Sequence, residues 1–194
     1  ISKDPHPAIR VLILQKLPYL QSLDSRAGWE FFDLAHESDM TGIWRYAEPC
    51  LYHSYSKNFE KIKPILENIL KTGIKNDIET WGRISALAAL DGKVPIVVLL
   101  NQLSSINSVD AWRGSMTVWT NPHNIFQHQD SCFEGINAAI SIDHPDPSML
   151  AQTIGNIFRE SIHPILLPEK IMTRYFAVLS SHEPRKHHSF FGMD

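Results

Sequence analysis

The sequence has little cysteine. Cys50 and Cys132 are the two cysteines among 194 residues, and no CxxC spacing is present. Each lies in an apolar helical pattern, where a free thiol is commonly buried. A disulfide framework would need more cysteines or a smaller fold, so two free thiols in a reducing, cytoplasmic setting are expected.

An excess of positive charge and a long apolar run are also missing. Lys and Arg number 18 against 21 Asp and Glu, which gives a net charge of −3. This balance gives no overall attraction to phosphate backbones or anionic lipid, so nucleic acid is not an expected partner. The longest apolar run, "VPIVVLL" (94–100), is far shorter than the roughly 20 residues of a membrane span. No membrane association is therefore expected.

The common signatures of catalysis are absent as well. The Gly92–Lys93 step continues with valine, so it does not form a phosphate-binding loop, and Gly92 is better interpreted as a helix C-cap. No GxSxG turn frames a serine, and Cys50 lies one helical turn from His53 among apolar neighbours. We therefore predict no catalytic residue, no cofactor and no enzymatic activity for this chain.

Histidine offers one weak metal site. Most of the ten histidines are scattered, without the spacing of zinc ligands. The segment "SHEPRKHH" brings together His182, His187, His188 and Glu183, which could hold a metal weakly; the alternative is a solvated loop near a chain end. The prediction is no metal site.

Hydrophobic periodicity predicts an all-α protein, because amphipathic helical patterns cover the chain and strand alternation is not found. Pro49 and Pro64 lie inside such patterns and should kink their helices, unless one of them marks a true break. The predicted helices are 6–21, 25–37, 42–56, 57–72, 77–91, 95–105, 108–120, 124–142, 146–160 and 164–180.

The helical pattern repeats along the chain. Asp4, Asp39, Asp77, Asp110 and Asp146 follow one another at intervals of 35, 38, 33 and 36 residues, the length of two helices with their turns. Arginine stands six residues after the first three of them. These arginines are Arg10, Arg45 and Arg83.

This Asp-then-Arg spacing resembles the HEAT repeat and implies a right-handed α-solenoid of about five helical hairpins. In such a stack the aspartate accepts from backbone N–H groups, and the arginine reaches an acidic group of the adjacent hairpin. Arginine is missing six residues after the last two aspartates, where Met116 and Gln152 stand, although Arg113 follows Asp110 by three. The ladder should therefore weaken in the C-terminal half. The alternative is that aspartate is simply a favoured helix cap and that three arginines coincide by chance.

Aromatic side chains are the candidate contact residues. "WRYAEPCLYHSYSKNF" carries Trp44, Tyr46, Tyr52, Tyr55 and Phe59, and at helical spacing some of them must face outward. Tyrosine and tryptophan dominate the energetics of many protein interfaces. The alternative is that Trp44, Tyr55 and Phe59, together with Leu51, belong to the core.

A narrower resemblance rests on the order of four stretches: "AGWEFFDLAHESDMTGIWRYAEPCLYHSYSKNFEKIKPILENIL", "GRISALAALDG", "AWRGSMTVWTNPHNIFQHQDSCFEGINAAI" and "PDPSMLAQTIGNIF". From about Asp4 to Phe158 the chain resembles the C-terminal helical-repeat region of bacterial NACHT-type STAND ATPases of antiphage defence. In that family the repeat region senses an invader-derived trigger and helps to hold a separate ATPase domain closed, and a further domain is the effector.

The resemblance implies a sensor that binds a protein, either the trigger or the upstream ATPase domain, with oligomerisation expected only for the full-length parent. We expect a helical-repeat domain over residues 1–180 and a polar tail or linker over 181–194 that leads into a further part of that parent. The lack of an initiator Met supports the expectation of a longer polypeptide. Alternatives are a generic HEAT-repeat scaffold and a HEAT-type enzyme, such as a DNA-base glycosylase or a pigment lyase; the acidic balance argues against the DNA enzyme.

Overall fold

The structure, a computed structural model, describes residues 6–36, 44–141, 144, 146–160 and 163–181 of the 194. These residues form helices and connections without a strand, which confirms the all-α class. The helices are α1 (Pro7–Leu23), α2 (Ser25–His36), α3 (Trp44–Ser54), α4 (Phe59–Thr72), α5 (Lys75–Leu90), α6 (Ile96–Ile106), α7 (Val109–Trp119), α8 (Pro122–Gln127), α9 (Gln129–Ala139), α10 (Pro147–Glu160) and α11 (Glu169–Ser181).

Two helices differ clearly from the sequence prediction. The helix predicted over 124–142 is divided into α8 and α9, because the backbone leaves the helical region at His128, where φ is −137° and ψ is 47°. The helix predicted from residue 164 begins at Glu169 instead. Pro164 and Pro168 bracket the non-helical segment before it, and a residue that precedes proline is disfavoured in the helical conformation.

Helix ends follow the expected chemistry. Gly73 ends α4 with a φ of 66°, and Gly92 follows α5 with a φ of 72°, in the left-handed region that glycine adopts without strain. The N–H of Gly92 donates to the carbonyl of Ala89 and that of Lys93 to Ala88, the two bonds of a Schellman motif. Gly92 is thus part of a helix C-terminus, as predicted.

The two prolines predicted to kink or break helices lie inside continuous ones, Pro49 in α3 and Pro64 in α4. Neither helix is split, although each ring removes one backbone donor. A third proline, Pro18, lies inside α1 in the same way.

The odd-numbered helices up to α7 pack on one another in succession: α1 on α3, α3 on α5 and α5 on α7, with α10 beside α7. Helix α2 contacts α1, and α4 and α6 both contact α5. Helix α9 contacts α6, α7 and α11. A hydrophobic core runs between these two sets of helices. Helix α5 is covered on nearly every side, since every residue over 80–90 except Arg83 is buried.

Helices α5 and α7 approach so closely that their contact has no room for side chains at two positions. A Cβ atom on Gly82 would lie 2.1 Å from the carbonyl oxygen of Ala111, and one on Gly114 would lie 2.0 Å from that of Glu79. The Oγ of Ser115 donates to the carbonyl of Gly82 at 3.0 Å across the same contact. Backbone packing therefore fixes the distance between these two helices.

Candidate protein-binding surface

Asp77 lies in the first turn of α5 and is fully buried. Its Oδ1 accepts a hydrogen bond of 3.2 Å from the backbone N–H of Arg45, the second residue of α3. The first N–H groups of a helix have no partner within it, so this carboxylate satisfies one of them and lies at the positive end of the α3 dipole. The aspartate thus joins two neighbouring helices and is not the N-cap of α5, which is Ile74.

Arg83 extends from the same helix to both of its neighbours. Its Nη1 forms an ion pair with Glu48 of α3, its Nη2 lies 3.0 Å from the Oε1 of Glu79, and its Nε donates to the Oγ1 of Thr117 on α7 at 3.2 Å. The second oxygen of Glu48 accepts from the Oγ1 of Thr80 at 2.8 Å. Asp77 and Arg83 therefore act at separate contacts, both of which tie α5 to α3.

Arg113 continues this arrangement into α7. Its Nη2 lies 2.7 Å from the Oε2 of Glu79 and also contacts Asp110, whose Oδ1 lies 3.8 Å from the Nζ of Lys75. Burial opposes the charge of Arg113, but the hydrogen bonds and charges of Glu79 and Asp110 outweigh it and raise the pKa of the guanidinium. We call the whole set the charge ladder. Its members are Glu48, Arg83, Glu79, Arg113, Asp110 and Lys75.

The other arginines predicted for a ladder lie elsewhere. Arg10 is buried in α1, with 9% of its surface exposed. The guanidinium of Arg45 donates to the hydroxyl of Tyr46 and lies 4.5 Å from the centroid of that ring, so only its backbone takes part in the contact with α5. The remaining two predicted residues, Asp4 and Asp39, lie outside the described residues.

Sequence reasoning missed Glu48, Glu79 and Lys75 as members of the ladder. Glu48 and Glu79 stand 35 and 34 residues from their arginine partners Arg83 and Arg113. A search for glutamates at the repeat period, in addition to aspartates, would have found these two residues. Arg113 carries the ladder into α7. No arginine stands six residues after Asp110, and for that reason the ladder was expected to weaken in this half of the chain.

An open groove lies between α4 and α6, with α5 at its base. We call it the α4–α6 groove. Its volume is about 330 Å³, and the buried ring of Trp81 and the hydroxyl residue Ser85 line it from α5. Apolar side chains form its walls and charged ones its rim. The apolar group is Phe59, Leu66, Leu70, Val94, Val98 and Leu99, and the charged group is Glu60, Lys63, Glu67 and Lys93.

Helix α6 has no charged residue, although much of it is in contact with water. Its sequence is IVVLLNQLSSI, and Val97 and Val98 are 55% and 42% exposed. Its other exposed residues are polar but uncharged, namely Asn101, Gln102, Ser104 and Ser105, so the apolar part of its exposed surface is at Val97 and Val98. Contiguous exposed apolar surface typically marks an interaction site. The run "VPIVVLL", which is too short to span a membrane, therefore supplies the exposed apolar residues of α6.

Most of the aromatic candidates belong to the core. Trp44 is buried, while Tyr55 and Phe59 are half-buried and pack against the core. Tyr46 is half-buried beside Arg45. Tyr52 faces outward, with 57% of its surface exposed. The exposed aromatic surface of α3 is thus smaller than the sequence allowed.

Both cysteines are buried free thiols, and burial raises the pKa of each, Cys50 and Cys132, to about 12. A thiol needs its thiolate form to act as a nucleophile or a metal ligand. His53 is exposed, whereas Cys50 has no exposed surface. These two residues do not have the environment of a catalytic pair.

In the part of the chain that the structure describes, no cluster of three His, Cys, Asp or Glu side chains could hold a metal ion. The histidine-rich segment at 182–188 lies outside that part. None of the described helices combines the length and apolar character needed to cross a bilayer.

Comparisons of the chain with protein-family models, with curated proteins and with solved structures found no match.

Proposed function

We propose that this chain is a non-catalytic, protein-binding module, built as a right-handed α-solenoid of about five HEAT-like hairpins. The contacts between neighbouring odd-numbered helices support the repeat, because their partners stand close to one period apart in the sequence. Examples are Gln21 with Ser54 (33 residues apart), Glu48 with Thr80 (32), Gly82 with Ser115 (33), Arg83 with Thr117 (34) and Asn137 with Arg174 (37).

The observation that carries the binding function is the α4–α6 groove with its uncharged wall. Solenoids present extended surfaces to partners, and an amphipathic helix of a partner can lay its apolar face into a groove between two helices. Here Val98 and Leu99 line one wall and Leu66 and Leu70 the other. Lysine and glutamate at the rim can then pair with charges that flank the apolar face of the partner helix.

The resemblance to NACHT-type STAND ATPases supplies the regulatory part of the proposal. A protein trigger that binds the repeat region better in the open arrangement than in the closed one would shift the parent protein towards its active state. The ATPase and effector activities belong to other parts of that parent. The alternative is a HEAT-repeat scaffold that holds two proteins together and transmits no signal.

The test compares two charge substitutions on α6 in the full-length gene product. Val98→Asp places a carboxylate in the groove, and Asn101→Asp adds the same charge to the same helix outside the lining of the groove. Both proteins are used in pull-downs from phage-infected and uninfected cells, and their ATP hydrolysis is measured with and without the captured partner. Thermal unfolding confirms that both variants fold.

We expect Val98→Asp to reduce capture of the partner at least about tenfold, because burying an unpaired carboxylate costs more than 1.4 kcal/mol. Asn101→Asp should capture it as the wild type does. A partner whose capture depends on infection, and whose binding changes ATP hydrolysis, supports the sensor. A partner captured equally from both cell types, without a change in hydrolysis, supports the scaffold, and capture that is unaffected by Val98→Asp contradicts the role of the groove.

A further inference from the structure

A second cavity, of about 360 Å³, lies where α6, α7, α9 and α11 meet, away from the α4–α6 groove. Trp112 of α7 and Ala138 of α9 provide apolar wall. The polar groups around it come from three separate parts of the chain. They are Ser104 and Asn107 near the end of α6, Ser141 after α9, His144, and Arg174 of α11.

Arg174 is a cation without an anionic partner among the described residues. Its Nη1 donates to the backbone carbonyl of Asn137 on α9 at 2.8 Å, and this bond fixes the orientation of the guanidinium. No carboxylate of the described residues forms an ion pair with it. This contrasts with Arg83 and Arg113, whose charges are each matched by two carboxylates. The fork of Arg174 therefore keeps N–H donors for an external anion.

The other polar groups fit the same ligand chemistry. The hydroxyl of Ser141 and the side-chain amide of Asn107 form no hydrogen bond with a described residue, so both can donate to an oxygen atom in the cavity. The Nδ1 of His144 accepts from the backbone N–H of Asp146 at 3.3 Å, and burial lowers the pKa of this imidazole and favours its neutral form. Its ring packs edge to face with Trp112, with 5.2 Å between the centroids.

We propose that this cavity binds a carboxylate that carries a small apolar body, with Arg174 as the principal ligand of the carboxylate and Trp112 as the apolar wall. Two sources share this chemistry, a free small carboxylic acid and the C-terminal carboxylate of a peptide. The proposal does not depend on the α4–α6 groove, because no residue lines both cavities.

The test is an NMR titration of the ¹⁵N-labelled chain, read at the indole N–H of Trp112 and the Nε–H of Arg174, in a buffer without carboxylates. The probes are phenylacetate for the free acid and acetyl-Gly-Gly-Phe for the peptide terminus, each paired with its carboxamide. Arg174→Gln removes the charge. Lys170→Gln is the matched control, because it removes a charge from an exposed position of the same helix that does not line the cavity.

We expect saturable shifts with at least one carboxylate probe, affinity at least about tenfold weaker for its carboxamide and for Arg174→Gln, and wild-type affinity for Lys170→Gln. Binding of phenylacetate identifies a free acid as sufficient, and binding of the peptide alone identifies a chain terminus. If Arg174→Gln unfolds, Ser141→Ala decides instead, with an expected loss of about threefold or more. The proposal is wrong if neither carboxylate binds at 10 mM, if the carboxamides bind equally well, or if the folded cavity variant keeps wild-type affinity.

Discussion

The close contact between α5 and α7 allows a quantitative test of the packing. In the variant Gly82→Ala the new Cβ atom would start 2.1 Å from the carbonyl oxygen of Ala111, well inside any real carbon–oxygen contact. That oxygen belongs to the backbone of a buried helix, so it cannot rotate away as a side chain would. The two helices must separate, or one must bend.

The expected cost follows from what separation breaks. Overpacking a well-filled interior costs about 1–3 kcal/mol. Separation also stretches the hydrogen bond from Ser115 to the carbonyl of Gly82, which adds about 1 kcal/mol. Alanine gains up to about 1 kcal/mol in helix propensity over glycine. The net loss in the free energy of unfolding for Gly82→Ala should therefore be about 1–3 kcal/mol.

Gly155 provides the matched control, because it also lies inside a helix, α10, and a Cβ atom there would meet nothing within 4 Å. Gly155→Ala should stabilise the protein by up to about 1 kcal/mol through helix propensity alone. The assay is urea unfolding followed by circular dichroism at 222 nm, with the midpoints of both variants compared with the wild type. If Gly82→Ala unfolds at the same urea concentration as Gly155→Ala, the close approach of α5 and α7 is wrong.

Four further predictions concern the charge ladder, the buried cysteines, His144 and nucleotide binding. Arg83→Ala should lose about 1–3 kcal/mol, because it removes the cationic partner of Glu48 and one of the two arginines that pair with Glu79, whereas Lys93→Ala removes an exposed charge; equal urea midpoints would contradict this. The buried thiols, with a pKa of about 12, should react with Ellman's reagent at pH 8 only after unfolding in urea, and fast labelling of the native chain would show that they are accessible. The pKa of His144 is lowered in the fold, so the unfolded state takes up its proton first and stability should fall as the pH drops below about 6.5; His144→Gln should flatten this decline in urea midpoints measured from pH 7 to 5. Calorimetry with ATP and magnesium should show no saturable heat, and micromolar affinity would contradict a non-catalytic module.

Local chemistry made much of the fold predictable from the sequence. Periodicity of apolar residues predicted the helical class, and Gly92 was predicted as part of a helix C-terminus because the conformation of such a residue acts within one turn. The break at His128 was missed, since nothing in the residues beside it resembles a strong breaker. The backbone conformation at His128, with φ −137° and ψ 47°, is therefore not one that local propensity predicts.

The ladder and the groove were harder to predict, because both depend on how helices distant in sequence are placed side by side. Asp77 and Arg83 were identified from their spacing, yet their partners could be named only once the register of α3 against α5 was known. The number of residues between Leu66 of α4 and Leu99 of α6 says nothing about the distance between these two helices, which sets the width of the groove. Whether an apolar residue such as Val98 faces a neighbour or water is decided by that distance, and not by its own helix.

The two surfaces differ in what they can offer to a partner. Each charge of the ladder already has an opposite charge within the protein, so a ligand that displaced one would lose a compensated pair and gain little. The wall that α6 provides to the α4–α6 groove has no charged residue, so a partner would break no ion pair there. Burial of its exposed apolar surface contributes about 25 cal/mol for each Å² removed from water. Of these two surfaces the groove therefore offers a partner the greater gain, at α6, whereas the ladder joins α3, α5 and α7 to one another.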